Sequence, residues 1–329
     1  QVSLQSVKIG QTDIVVDWTR GPQGVDLSLS GKALELSRVR EMLRARNEVA
    51  AKQPAGAAAA AQAKTKVTVR LQNVLVKRGT LGYLNGQLEL SGERVASADL
   101  TLGGGKGATF RVTPAGKNRH FFFYVADFGQ LLKDAGWIDG LAGGYLHIEG
   151  QFNDLWADPP LDGTLKMGPY RLQVVTPRPD IGTLNAAIEG LGRAGDSTQQ
   201  FDNLEARLVK AGDRIDIRDG RTSGRSIGLT TQGWLDLASE TAQLRGVVVP
   251  AFALNNLLSN VPLLGPLLTG GKDGGLFAIS YSLEGPFDDL RSNVSMMSAV
   301  TPGALREIFN APADASTPAP PTREMERAP

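Results

Sequence analysis

Apolar and polar residues alternate along most of this chain, and no other feature restricts its possible folds as strongly. In the segment KVTVRLQ the alternation places Val67, Val69 and Leu71 on one side of an extended backbone, and HFFFYV does the same for Phe121 and Phe123. Side chains of a strand point alternately to opposite faces, so such segments are typical of antiparallel sheets with one apolar and one polar face. The sequence therefore predicts a mainly β fold.

A weak internal repeat accompanies the alternation. The segments GVDLSLSG, GQLELSG, GGYLHIEG and LFAISYSLEG end at Gly31, Gly92, Gly150 and Gly285, and each is typical of a strand that a glycine turn terminates. Short amphipathic helices are predicted at Leu34–Arg46, Asp127–Ala135, Leu254–Asn260 and Pro302–Phe309. The predicted architecture is a series of strands interrupted by short capping helices.

Composition restricts the function as well as the fold. The 329 residues are 41% hydrophobic, which is enough for a large core. The 35 basic and 34 acidic residues are spread along the chain, which argues against a nucleic-acid partner. The chain has no cysteine and its two histidines lack the spacing of metal ligands, so we predict no metal, no cofactor and no catalytic residues.

The composition also divides the chain into four parts. Residues 1–49 hold the first strands and an amphipathic helix, and residues 50–64 form an alanine-rich linker. Residues 65–310 form the main β domain, and residues 311–329 form a disordered tail rich in Pro and Ala. The first residues alternate like a strand and show no signal-peptide pattern, so we expect a mature or excised piece of a longer protein.

One uncharged window, Phe252–Leu268, interrupts the alternation. Leu254, Leu257, Leu258 and Val261 have helical spacing, the opposite side is Asn and Ser, and the prolines argue against a membrane span. Two interpretations remain open, because the helix can close the end of the β structure as a plug or can contact lipid. The uncharged polar side favours the plug, since interfacial helices usually carry Lys or Arg there.

The C-terminal third contains VVVPAFALNNLLSNVPLLGPLL, then a glycine-rich turn, EGPFDDL and TPGALREIF. This succession resembles the end of the bacterial AsmA-like family, in particular its large YhdP-type members. The matching positions are Val249, Pro250, Phe252, Leu254, Asn255, Pro262, Leu263, Leu264, Gly265, Gly285, Pro286, Asp288, Pro302, Gly303, Leu305 and Arg306. Upstream, VADFGQLLKDAGWIDGLAGGYLHIEG is similar to the family's recurring helix and strand module.

The resemblance implies both a fold and a function. The fold is an elongated, curled antiparallel sheet that forms an open apolar groove, as in TamB and the bridge-like lipid-transfer proteins of eukaryotes. The function is non-enzymatic transfer of phospholipid from the inner to the outer membrane, by a periplasmic segment of a protein anchored in the inner membrane of a Gram-negative bacterium. The implied partners are phospholipid acyl chains, an envelope or outer-membrane protein, and the membrane, reached through an N-terminal anchor outside this sequence and the C-terminal cap helix.

The groove hypothesis assigns lipid contacts to apolar residues of the strands and of the uncharged window. The candidates are Val67, Val69, Leu71, Leu88, Leu90, Phe121, Phe123, Leu146, Ile148, Phe252, Leu254, Leu257, Leu258, Val261, Leu264 and Leu268. A groove lowers a large barrier, because exposing roughly thirty methylenes of two acyl tails to water, at about 0.8 kcal/mol each, costs roughly 24 kcal/mol.

Other functions fit part of the same pattern. A β-rich envelope scaffold that binds proteins and no lipid would show the same alternation, and apolar faces fully packed against each other would favour it. An outer-membrane barrel is disfavoured because aromatic residues make up only 6% of the chain and form no girdles. A polysaccharide-degrading enzyme would need clustered carboxylates beside aromatic platforms, and the sequence shows none.

Overall fold

A computed structural model of the chain describes residues 2–21, 24–36, 64–76, 79–92, 94–103, 107–136, 140–154, 159–173, 198–225, 227–250, 278–287 and 290–297. Strands make up 78% of this part of the chain. The mainly β fold that the alternation predicts is therefore confirmed.

Twenty strands and one helix occupy the described ranges. The strands are β1 (Val2–Ile9), β2 (Thr12–Gly21), β3 (Gly24–Glu35), β4 (Lys64–Leu71), β5 (Val74–Val76), β6 (Gly79–Thr80), β7 (Leu84–Ser91), β8 (Arg94–Leu102), β9 (Ala108–Ala115), β10 (Asn118–Val125), β11 (Leu141–Gly143), β12 (Leu146–Phe152), β13 (Leu161–Met167), β14 (Tyr170–Gln173), β15 (Thr198–Ala211), β16 (Arg214–Gly224), β17 (Ile227–Asp236), β18 (Thr241–Pro250), β19 (Ala278–Pro286) and β20 (Arg291–Met297). The helix α1 is Phe128–Asp134.

Most of these strands pair side by side in one long open sheet. The order is β1–β2–β3–β4–β7–β8–β9–β10–β12–β13–β15–β16–β17–β18–β19–β20, which we call the main sheet. Every pair is antiparallel except β3 with β4, which is parallel. Antiparallel neighbours need only a short turn, whereas a parallel pair needs a long crossover, and the residues between Glu35 and Lys64 are numerous enough for one.

The helix predictions have mixed outcomes. The helix predicted at Asp127–Ala135 is confirmed as α1, with Asp127 as its N-cap. Of the helix predicted at Leu34–Arg46, Leu34 and Glu35 belong to β3 instead, Leu36 is helical, and residues 37–46 lie outside the described residues. Leu34 is buried there, and its N–H donates to the Asn73 carbonyl at 3.0 Å, so packing against the strands near β5 outweighs the helical spacing. The predicted helices at 254–260 and 302–309, and most of the linker at 50–64, lie outside the described residues.

The buried side chains form two clusters along the sheet. The first joins β2, β3, β4 and β5 and includes Val69, Leu71 and Val74. The second extends from β9 to β19 and includes Val125 and Val248. Because both clusters use residues that alternate with polar ones along their strands, the apolar side chains collect on one side of the sheet.

Candidate functional site

The apolar residues of the main sheet lie on one face, which we call the inner face. Residues that pair directly across two strands project to the same side of a sheet. Val67 pairs with Leu88, and Phe123 pairs with Ile148, and the register of the strands between them connects the two pairs. All nine predicted strand candidates share the inner face, namely Val67, Val69, Leu71, Leu88, Leu90, Phe121, Phe123, Leu146 and Ile148.

One register row shows how far the inner face extends, and we call this row the closed margin. Each of its residues pairs with the next across neighbouring strands, from β2 to β19. The row consists of Ile14, Gly31, Leu71, Leu84, Leu102, Ala108, Val125, Leu146, Met167, Leu204, Thr222, Leu229, Val248 and Ile279. Neighbouring strands lie about 4.8 Å apart, so this row is about 60 Å long when measured along the sheet.

Most of the closed margin is buried by its own packing, and α1 packs against part of it. Val125 and Val248 are 0% exposed, and Leu71 is 1% exposed. Phe128 and Leu131 of α1 pack against the second cluster, which contains Val125 and Val248. The helix begins directly after β10 because a carboxylate oxygen of its N-cap accepts a hydrogen bond from the backbone N–H three residues later, at 3.0 Å. Nine of the fourteen residues of this row are therefore buried, and the other five are half-buried.

Large apolar side chains along the middle of the inner face are only half-buried in the described part of the chain. They include residues that the sequence reasoning did not single out, although they follow the same alternation. These half-buried residues are Leu88, Leu90, Leu100, Phe110, Phe121, Phe123, Ile148, Leu165, Leu208 and Leu244. Contiguous apolar surface that stays partly exposed is typical of binding surfaces, so this band is the candidate functional site.

Aromatic rings and glycines shape the centre of this band. The ring of Phe121 makes edge-to-face contacts with Phe110 at 5.5 Å and with Phe152 at 6.1 Å between centroids. Gly150 lies opposite Phe121, and Gly163 lies opposite Gly150, so two positions beside the ring carry no side chain. A Cβ at Gly150 would lie 2.4 Å from the Asp162 carbonyl oxygen. The glycines allow the strand backbones to approach closely, as bent sheets require.

Another glycine lies beneath a tyrosine near the other end of the band. Gly246 pairs with Tyr281, whose hydroxyl reaches across β18 and donates to the Thr230 carbonyl at 2.8 Å. A Cβ at Gly246 would lie 1.8 Å from that carbonyl oxygen and 2.7 Å from the tyrosine hydroxyl. The Tyr281 ring can therefore lie flat across the strand only because residue 246 has no side chain.

Two buried phenols lie near this end of the sheet, and both are neutral at physiological pH. Burial raises the pKa of Tyr170 to about 12, although its hydrogen bond to the Thr222 hydroxyl, at 2.8 Å, acts in the opposite direction. Burial also raises the pKa of Tyr281. Both groups act as hydrogen-bonding anchors of the core, and neither has the lowered pKa that a general base needs at neutral pH.

The opposite face of the main sheet, which we call the outer face, is polar and charged. Exposed ion pairs cross its strands, such as Arg111 with Asp99 at 3.5 Å. His120 lies 2.9 Å from Glu149, whose other carboxylate oxygen lies 3.7 Å from His147. No group of three His, Cys, Asp or Glu side chains within the described ranges is arranged to hold a metal ion. No helix in those ranges is both long and apolar enough to cross a membrane.

The candidates of the uncharged window cannot be placed relative to the inner face. Phe252, Leu254, Leu257, Leu258, Val261, Leu264 and Leu268 lie outside the described residues. Both interpretations of this window, as a plug or as a lipid contact, stay predictions.

Comparison with known proteins adds no assignment. No family model, no curated protein and no solved structure matches this chain. The resemblance to AsmA-like proteins stays a prediction from the sequence, and the function has to be argued from the inner face itself.

Proposed function

We propose that this protein is a non-enzymatic lipid-transfer segment that conducts phospholipid along the inner face of its main sheet. The observation that carries the proposal is the continuity of that face. Most of its positions from β2 to β19 are apolar, and large side chains along its middle, such as Phe123 and Leu165, are only half-buried. A scaffold whose apolar faces pack fully against each other would have no reason to keep such a band partly open.

The dimensions of the inner face suit acyl chains. An antiparallel strand of eight residues, such as β10, is about 27 Å long. The hydrocarbon of one bilayer leaflet is about 15 Å thick, half of the roughly 30 Å core. An acyl chain therefore fits within the length of the strands, and the two tails of one lipid can lie along two neighbouring strands.

The polarity of the inner face suits the same cargo. Transfer through water costs roughly 24 kcal/mol for two tails of about thirty methylenes in total, at about 0.8 kcal/mol each. Contact with apolar side chains such as Phe123, Ile148 and Leu165 removes much of that cost. Because these contacts have no direction, a chain can slide from one strand to the next without breaking specific bonds.

The cellular setting in the proposal comes from the resemblance of the C-terminal third. We place the chain in the periplasm, as part of a protein anchored in the inner membrane, where it supports lipid transport to the outer membrane and outer-membrane homeostasis. A partner in the envelope or outer membrane would receive the lipid. The following experiment distinguishes lipid transfer from the alternative function, an envelope scaffold without lipid cargo.

Photo-crosslinking at two adjacent residues tests the proposal. Phe123 projects to the inner face and Phe122 to the outer face, and both are half-buried phenylalanines of β10. We expect benzoylphenylalanine at position 123 to crosslink phospholipid that copurifies with the protein, and the same group at position 122 to crosslink none. Mass spectrometry of the intact protein detects the adduct and identifies the lipid.

The paired design separates the two functions. Equal crosslinking at both positions would indicate non-specific detergent or lipid association. The absence of copurifying phospholipid in native mass spectra, together with no adduct at position 123, would reject lipid transfer in favour of the scaffold.

A further inference from the structure

Charge is distributed very unequally between the two faces of the main sheet. The outer face carries both acidic and basic side chains, among them Lys66, Asp99, Arg111, Glu149, Lys166 and Arg207. Outside the bulges, the inner-face positions of the described main-sheet strands hold only three charged side chains, those of Arg20, Arg119 and Lys210. All three are basic.

The three basic residues lie at the same end of the strands, on two register runs that we together call the basic margin. The first run consists of Arg20, Val25, Thr65, Leu90 and Val95. The second run consists of Arg119, Phe152, Leu161, Lys210, Ile215, Leu235 and Ala242. The Arg119 guanidinium donates to the Val95 carbonyl and so joins the two runs. The basic margin lies at the opposite end of the strands from the closed margin, so the inner face is polarised across its width.

Arg119 is the most constrained of the three. Its guanidinium donates to both carboxylate oxygens of Asp154, at 2.6–3.0 Å, and to the Val95 carbonyl. It also lies 4.5 Å from the centroid of the Phe152 ring. Arg94 approaches the same carboxylate at 3.9 Å. Two guanidinium groups thus face one carboxylate at this part of the margin.

The other two cations are more accessible. Arg20 is exposed, and Lys210 is half-buried with its ammonium donating to the Gly212 carbonyl. Long basic side chains place their methylenes along apolar surface while the charge stays in water. The apolar surface of the inner face therefore carries positive charge at three points of the basic margin.

We infer that the basic margin binds the phosphate of the transferred lipid, so that each lipid lies along the strands with its headgroup at this margin and its tails towards the closed margin. The inference rests on the proposed function and adds the orientation of the lipid and the residues that bind its headgroup. Charge complementarity carries it, because the charged inner-face residues at this edge are all basic and the Asp154 carboxylate beside them is already bonded by Arg119. At the other end of the strands the same phosphate would meet a mostly buried row that carries no charged side chain.

Two fluorescent lipids with identical acyl chains test the inference on the full chain. Phosphatidic acid carries a phosphate and diacylglycerol does not, so the difference in their dissociation constants isolates the phosphate. The test variant is Arg20→Gln with Lys210→Gln, and the control is Lys66→Gln with Lys166→Gln, which removes the same charge from exposed lysines of the outer face. A cation near a lipid phosphate contributes about 1 kcal/mol, so we expect about fivefold weaker phosphatidic acid binding for the test variant.

The remaining outcomes are equally specific. Diacylglycerol binding should not change in either variant. The preference for phosphatidic acid should shrink as salt is raised from 0.05 to 0.5 M, because the screening length becomes roughly threefold shorter. Equal weakening by the inner and outer variants would overturn the inference, because general electrostatics would then explain binding. Equal affinity for both lipids in the unmodified protein would overturn it too. If neither lipid binds, the proposed function itself fails.

Discussion

Replacement of Gly246 by alanine tests whether close approach between strands shapes the inner face. The added Cβ would lie 1.8 Å from the Thr230 carbonyl oxygen and 2.7 Å from the Tyr281 hydroxyl. The backbone at this glycine is outside the left-handed region, so the penalty is one of space. Either β17 and β18 move apart or the tyrosine ring rises and loses its 2.8 Å hydrogen bond.

The expected cost follows from these contacts. Overpacking of a tight site costs about 1–3 kcal/mol. Loss of the buried tyrosine hydrogen bond adds about 1 kcal/mol. Alanine restricts the unfolded chain more than glycine does, which offsets about 0.4–1 kcal/mol. We therefore expect Gly246→Ala to lower the free energy of unfolding by about 1–3 kcal/mol.

Urea unfolding followed by circular dichroism measures this change, with Gly21→Ala as the matched control. A Cβ at Gly21 meets no atom within 4 Å, so this variant should be neutral or slightly stabilising. In a Tyr281→Phe background, Gly246→Ala should destabilise the protein less, because the tyrosine hydrogen bond is already absent. If Gly246→Ala unfolds at the same urea concentration as Gly21→Ala, close strand approach does not constrain this position.

Three further predictions concern single contacts. Asp127→Ala removes the 3.0 Å N-cap hydrogen bond from the Gln130 N–H and should lower the free energy of unfolding, measured in urea, by about 1 kcal/mol. Asp127→Asn should keep most of that stability. Equal stability of the two variants would exclude capping. Arg119→Met leaves the Asp154 carboxylate without its main partner and should lower the free energy of unfolding by about 3–5 kcal/mol. The double variant with Asp154→Leu should lose less stability. A double variant as unstable as the single one would contradict this. Burial raises the pKa of Tyr170 to about 12, so the unfolded chain, with a pKa near 10, ionises first and stability falls as pH rises from about 10 towards 12. Tyr170→Phe should reduce that loss by about 1.4 kcal/mol at pH 11 relative to pH 9, and an unchanged pH profile would count against it.

The sequence predicted the strands well because alternation is a local signal. Val67, Leu88 and Phe121 could be assigned to one apolar face before any pairing was known, since each strand buries the same side against its neighbours. α1 was predictable for a similar reason, because Asp127 and the apolar spacing that follows it are contiguous.

Features that depend on pairing between distant segments could not be predicted. Leu34 has helical spacing with later residues, but its burial beside β5 decides its conformation. The basic margin is a property of register, since Arg20, Arg119 and Lys210 are far apart in sequence. Nor does alternation indicate that Gly246 lies under Tyr281, because the pair forms only when β18 and β19 align.

Bulges explain how one face stays apolar although the alternation along a strand is interrupted. In β16, Ile215 and Ile217 project to the inner face. Beyond them the inner-face residues are Gly220 and Thr222, so the inner face changes from odd-numbered to even-numbered residues. Asp219, with a φ of 51°, is the extra residue that makes this change of phase. Without it, Thr222 would leave its place opposite Leu204 and Leu229 in the closed margin. A strict period-two pattern would therefore misassign the second half of this strand, and the continuity of the inner face depends on the bulge as much as on the apolar residues.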